Sequence, residues 1–200
     1  MGEYDEKVLK AFLDNQMQLF PEIVADSLEE AEYFLEDCMA VVCRNKKEVR
    51  KYFEEAGLDM VFVQDNQSCS VKGVLRGLHY QKEYPQGKLV RVLKGRVFDV
   101  AVDLRAGSDT YGMWYGIELS EDNKKQFYIS EGFAHGFLVL SEVAEFAYKV
   151  TDFYHPGDEG GLIYNDSEIG IEWPVEEGME LILSEKDKKW GGLSETFRFD

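Results

Sequence analysis

K-L-V-R-V-L-K-G-R-V-F-D-V-A-V-D-L-R, residues 88–105, decides the fold class. Apolar and polar residues alternate on both sides of Lys94-Gly95, and β-branched residues dominate, so the stretch predicts a β-hairpin turning at that pair. Outward from it, similar runs predict strands at 114–119, 126–129, 136–140, 144–150 and 162–164. Turn signals at Gly107-Ser108, Pro156-Gly157 and Gly160-Gly161 separate them. Many short strands with no helix between them mean an antiparallel sandwich or barrel. Inward residues of such a fold line a cavity that suits a small ligand.

The chain changes character near residue 60. Residues 1–60 hold 15 Asp/Glu against 7 Lys/Arg, and only two of the 18 glycines, Gly2 and Gly57. The apolar spacing there is helical: Val8 with Phe12 and Leu9 with Leu13 form i/i+4 pairs. Ser27 and Glu30 make a capping-box signature, after which Phe34, Leu35, Cys38 and Met39 fall on one helical face. Asn45 and Glu48 open a third helix through Val49, Tyr52 and Phe53, with Gly57 as its stop. The A-V-V-C run at 40–43 fits a strand as well. The organisation predicted is a helical acidic segment over 1–56 and a β-domain over 57–200. The segment reads as a cover on the β-core, with a docking or dimerisation module as the alternative.

Composition narrows the function. A net charge of −17 argues against nucleic-acid binding, which needs clustered Lys and Arg, and against adsorption to anionic membranes. The three cysteines, Cys38, Cys43 and Cys69, have no metal-like spacing and point to free thiols in the cytoplasm. No apolar run approaches membrane-spanning length, and the acidic N-terminus has no signal-peptide pattern.

The chemistry gathers around G-V-L-R-G-L-H-Y-Q, residues 73–81, which sets Arg76 three positions from His79. In a regular strand those two face opposite sides, so a common face requires a bulge or kink at the glycines. The other histidines, His135 and His155, stand alone, and without an H-x-H pair a metal centre is not expected. No nucleophile elbow and no phosphate-binding glycine loop is present. What remains is cofactor-free acid–base chemistry, with His79, Tyr148, Lys88 and Asp187 as its material.

From about residue 52 to about 187 the chain resembles the dTDP-4-dehydrorhamnose 3,5-epimerase family. The blocks are F-V-Q-D-N-Q-S at 62–68, K-G-V-L-R-G-L-H-Y-Q at 72–81 and Q-G-K-L-V-R-V at 86–92. They continue with G-R-V-F-D-V-A-V-D-L-R at 95–105, E-G-F-A-H-G-F at 131–137 and G-I-E-W-P at 170–174. The resemblance implies a cupin jelly roll, or double-stranded β-helix, acting as a homodimer on a dTDP-4-keto-6-deoxy sugar. It places the base at His79, its carboxylate partner at Asp187 and the acid at Tyr148. Substrate-binding positions fall at Gln64, Asp65, Asn66, Arg76, Lys88, His135, Glu159 and Lys186, and Tyr154 matches the aromatic that stacks on thymine. The C4 ketone acidifies C3–H and C5–H, an imidazole suits their removal, and Lys88 would hold the charge that develops on O4. Inversion needs a second acid on the opposite face of the sugar. Arg76 would grip the diphosphate.

Two departures accompany the resemblance. Residues 1 to about 50 lack the family's E-R-G-F-F-like strands, which cross to the partner subunit and complete its nucleotide site. Ser130 stands where a proline is usual. The His79/Tyr148 pair also suits epimerisation at C3 or C5 alone, and the missing strands leave a non-catalytic sugar-nucleotide binder as an alternative.

Overall fold

The structure, a computed structural model, describes residues 61–200 together with the backbone of residues 32–34 and 38–41. The strands are β1 (Glu32–Phe34), β2 (Cys38–Val41), β3 (Gln64–Val71), β4 (Leu75–Gln81), β5 (Lys88–Lys94) and β6 (Arg96–Asp103). They continue with β7 (Trp114–Ser120), β8 (Gln126–Ile129), β9 (Phe133–Val139), β10 (Val143–Val150) and β11 (Glu159–Gly161). One sheet has the order β1-β2-β8-β5-β10-β3 and the other β11-β4-β9-β6-β7, with antiparallel neighbours throughout. The result is the two-sheet jelly roll expected from the sequence.

The inner faces meet in a core built by period-2 alternation. Val90, Phe127, Ile129 and Phe146 of the six-stranded sheet pack with Val97, Ile117, Phe137 and Val139 of the other. Phe137 and Phe146 stack across the sheets, their centroids 4.2 Å apart. Complete burial of side chains this size stabilises the fold by about 1.5–3 kcal/mol each. The five-stranded sheet is covered on its other face too, where Leu78, Val100, Val102 and Leu104 pack with Leu162, Ile169 and Leu193. β9 is therefore buried along its whole length, which accounts for a sequence without exposed polar side chains in which His135 is the one titratable residue.

The hairpin expected at Lys94-Gly95 is not formed. Both strands exist, but β5 pairs with β8 and β10 whereas β6 pairs with β7 and β9. Gly95 is the single residue between them and carries the chain from one sheet to the other. Its φ of +76° and a Cβ position 2.1 Å from the Val143 carbonyl oxygen admit only glycine.

Other expectations are corrected as well. The helix placed after the Ser27 capping box is replaced by β1 and β2, because β2 joins the six-stranded sheet through β8, pairing Ala40 with Phe127. Tertiary pairing there overrides a local helical pattern. The helices expected before Ser27 and over 45–57, and the boundary at 57, lie outside the described residues. The strand expected at 162–164 lies earlier, at β11, so Gly160-Gly161 is strand rather than turn. Those glycines answer to packing: a Cβ would sit 2.3 Å from the Tyr80 ring at Gly160 and 2.2 Å from the Trp190 ring at Gly161. Among the described residues, no helix is long and apolar enough to cross a membrane.

Candidate active site

A cavity of about 900 Å³ opens between the sheets, lined by β3, β4, β5, β9, β10, β11 and the segment around Ile182–Asp187. Its geometry begins with a bulge. β4 and β9 pair Arg76 with Phe137 and His79 with His135, so three steps along β4 match two along β9. The extra residue turns Arg76 and His79 to the same cavity. Gly77 makes this possible, with φ +121° and a Cβ position only 2.6 Å from Gly136 Cα. The common face that a regular strand forbids is obtained in this way.

His79 Nε2 lies 2.5 Å from Asp187 Oδ1, and its Nδ1 lies 3.8 Å from Glu159 Oε1. The short contact assigns the neutral ring's proton to Nε2 and leaves the Nδ1 lone pair free to take a proton. Asp187 sits in the 3₁₀ turn Asp187–Lys189, its amide donating to Ser184 Oγ at 3.1 Å. Burial pushes its carboxyl upward, but hydrogen bonding and the charge of His79, with Ser184 beside them, outweigh burial and hold it below the usual carboxylate range. Glu159 is paired with Lys186 at 2.7 Å, so the anion facing Nδ1 is already partly neutralised.

Tyr148, on β10, lines the same cavity from the six-stranded sheet, across from His79 on the five-stranded one. Burial pushes its phenol upward, Glu159 adds to this and Arg76 opposes it. The phenol therefore keeps its proton at neutral pH. Lys88 is buried with Nζ 3.4 Å from the His79 carbonyl oxygen. Burial lowers its pKa to about 8, with Asp99 and Glu159 holding it from falling further. It is a cation at neutral pH with little water around it, the condition under which a charge stabilises an oxyanion most.

The other positions singled out in the sequence distribute as follows. Asn66, Tyr154, Glu159 and Lys186 line the cavity with Arg76 and His135. Arg76 donates to Ser70 Oγ at 2.9 Å. Gln64 is placed at the rim, accepting from the Tyr154 amide at 3.2 Å and donating to Asn66 Oδ1 at 2.8 Å. Asp65, one step along β3, is not brought to the cavity: strand alternation turns it to the outer face, where it pairs with Lys149.

Two groups were missed from the sequence. Asp99 is fully buried and receives His135 Nε2 at 3.0 and 3.1 Å, forming a second imidazole–carboxylate pair beside the first. Burial drives both members toward their neutral forms, Asp99 upward and His135 downward, against the attraction between them. The available signal was an Asp inside the apolar run V-F-D-V-A-V. The other is Gln81, buried, which donates to the Tyr84 carbonyl at 2.8 Å and accepts from the His155 amide at 2.7 Å, bracing the loops that carry Tyr154.

Comparison with known proteins places this geometry. The family model described as dTDP-4-dehydrorhamnose 3,5-epimerase matches residues 45–195. A dTDP-4-dehydrorhamnose 3,5-epimerase of Methanothermobacter thermautotrophicus is 49% identical over 196 residues, 98% of this chain and 98% of that protein. One of Pseudomonas aeruginosa is 57% identical over 141 residues, 70% of this chain and 77% of its own. The Methanothermobacter alignment thus extends across the N-terminal residues, which the sequence reading had set apart from the family. Among solved structures, the dTDP-6-deoxy-D-glucose-3,5-epimerase of Legionella pneumophila in complex with dTDP-4-keto-L-rhamnose superposes with a TM-score of 0.76. It is 44% identical, and the match covers 84% of this chain and 97% of that one.

Proposed function

This chain belongs to the dTDP-4-dehydrorhamnose 3,5-epimerase family, and from that premise we propose how its residues divide the work. The substrate is dTDP-4-dehydro-6-deoxyglucose and the product dTDP-4-dehydro-L-rhamnose. His79 Nδ1 takes the proton from C3 or C5, and the electron pair moves through the C3–C4 or C5–C4 bond onto O4. The Lys88 ammonium holds that enolate. Tyr148 returns a proton to the same carbon from the other side, and the centre inverts. Asp187 keeps Nδ1 free and stabilises the imidazolium once it forms.

The observation that supports this most is the placement of base and acid on opposing sheets of one cavity, His79 on β4 and Tyr148 on β10. Racemising both faces with one group would need the sugar to turn over between steps; two walls remove that need. Arg76 and Lys186 supply local positive charge for the diphosphate in an otherwise acidic protein. The Tyr154 ring, half exposed at the rim, offers a face for the thymine. Gln64, Asn66, His135 and Glu159 complete the sugar-nucleotide contacts, with Asp65 acting through its pair with Lys149.

We further propose that the enzyme works in the cytoplasm as a homodimer. Supporting the dimer, β3 is an edge of its sheet among the described residues, and Val61 and Val63 just before it and Val71 at its end are exposed. Sedimentation showing only monomer would remove this part of the proposal.

Proton NMR of dTDP-4-dehydro-6-deoxyglucose in D₂O tests the reaction. Deuterium should enter at C3 and C5 with this protein and at neither with His79→Ala, its fold checked by circular dichroism. Exchange at a single position would make the enzyme a single-centre epimerase, and no exchange from a folded sample would leave a binding protein.

A further inference from the structure

Trp190 follows directly on the 3₁₀ turn that carries Asp187. Its ring stands edge-on to the His79 imidazole, centroids 6.4 Å apart and planes at 72°. Gly161 of β11 makes room for it, since a Cβ there would lie 2.4 Å from the indole Nε1. That Nε1 is buried and meets no acceptor at hydrogen-bonding geometry. Trp173, by contrast, donates to the Tyr164 carbonyl at 2.8 Å. A buried donor without an acceptor is unfavourable and rare, and a reason for its retention is to be sought next to it. The neighbouring anion is Asp187, whose low pKa owes part of its depression to this same N–H, after His79 and Ser184.

We propose that Trp190 is a positioning residue of the epimerase reaction: its indole N–H anchors the Asp187 carboxylate that orients His79. Substrate filling the cavity tightens this bond, as catalytic hydrogen bonds commonly do. The proposal rests on His79 serving as the base. It gives Gly161 a purpose, because any side chain there would push the indole off the carboxylate.

Trp190→Phe keeps an aromatic wedge and removes only the donor. With the substrate above, kcat should fall about tenfold while KM stays within about twofold, the effect of losing one hydrogen bond to a charged group. A merely structural role would not produce that split. The second arm needs no turnover. The protein has three tryptophans, so its nitrogen–proton NMR spectrum holds three indole signals, and the one absent from Trp190→Phe is that of Trp190. In the wild-type chain saturated with dTDP this signal should lie downfield, and in Asp187→Asn it should move while those of Trp114 and Trp173 stay in place. A Trp190 signal indifferent to Asp187→Asn, or a Trp190→Phe enzyme with unchanged kcat, would overturn the proposal. A wild-type protein that fails to turn over defeats the functional reading instead, and the NMR arm still judges Trp190.

Discussion

Two imidazole–carboxylate pairs stand on adjacent strands, His79–Asp187 and His135–Asp99, with the two histidines directly opposite each other in the register of β4 and β9. Their residue types are identical and their surroundings are not. The His79 side chain is 26% exposed and Asp187 3%, whereas His135 is 9% exposed and Asp99 0%. At the half-open pair, hydrogen bonding overcomes desolvation and Asp187 is held low; at the closed pair, desolvation wins and Asp99 is driven high. One pair is suited to taking up a proton during each turnover, the other to holding a fixed shape against the sugar. Contact with water, more than residue identity, separates a base from a scaffold.

The contrast is broken most severely at the first pair. Asp187→Asn keeps the shape of the side chain but favours the wrong tautomer of His79, and kcat should fall roughly 10³- to 10⁴-fold. Asp99→Asn should cost only about tenfold, because His135 loses orientation and not its part in proton removal. Equal losses in the two variants, measured by deuterium entry at C3, would erase the distinction. Next in size is the alkaline limb. The Lys88 ammonium is lost as pH rises through about 8, so kcat/KM should fall about tenfold per unit above that value. Lys88→Arg, whose guanidinium stays charged, should retain a flat profile there at lower activity. The smallest effect is on stability. Because Asp187 titrates lower when folded than unfolded, its contribution is present above the ordinary carboxylate range and is lost as pH falls through its folded value. Urea midpoints of Asp187→Asn should therefore drop less steeply on acidification than those of the wild type, and an identical slope would show that the pair does not stabilise the fold.

Much of the sandwich was legible from its strands. Residues 126–129 coincide with β8, and the runs at 114–119 and 144–150 fall within β7 and β10. Alternation reports that a segment is extended; it does not report its partner. The pair Lys94-Gly95 therefore looked like a hairpin although it joins two sheets. At residues 27–39 a capping box and i/i+4 spacing spoke for a helix, and only the edge of β8 shows why strands win. Of the residues singled out in the sequence, Arg76, His79, Tyr148 and Asp187 are brought to one cavity. That Arg76 and His79 share a face depended on an extra residue in β4, which a sequence can permit through Gly77 but not declare. Asp99 and Trp190 lie behind the lining; Asp99 left a trace, a polar residue inside an apolar run, and Trp190 left none.

The corner at Gly95 also bears on how the chain finds this structure. Because β5 and β6 follow one another in sequence but pair in different sheets, the strand that emerges next after β5 is not its partner. β3 must wait for β10, whose Val150 meets Gln64, 86 positions earlier in the chain. Closing loops of that length precedes any reward from the pairing, so this jelly roll belongs with proteins that fold in milliseconds to seconds rather than microseconds. During that interval its apolar strands are exposed to other chains, and the cell's concentration of unfolded copies becomes a condition of making the enzyme at all.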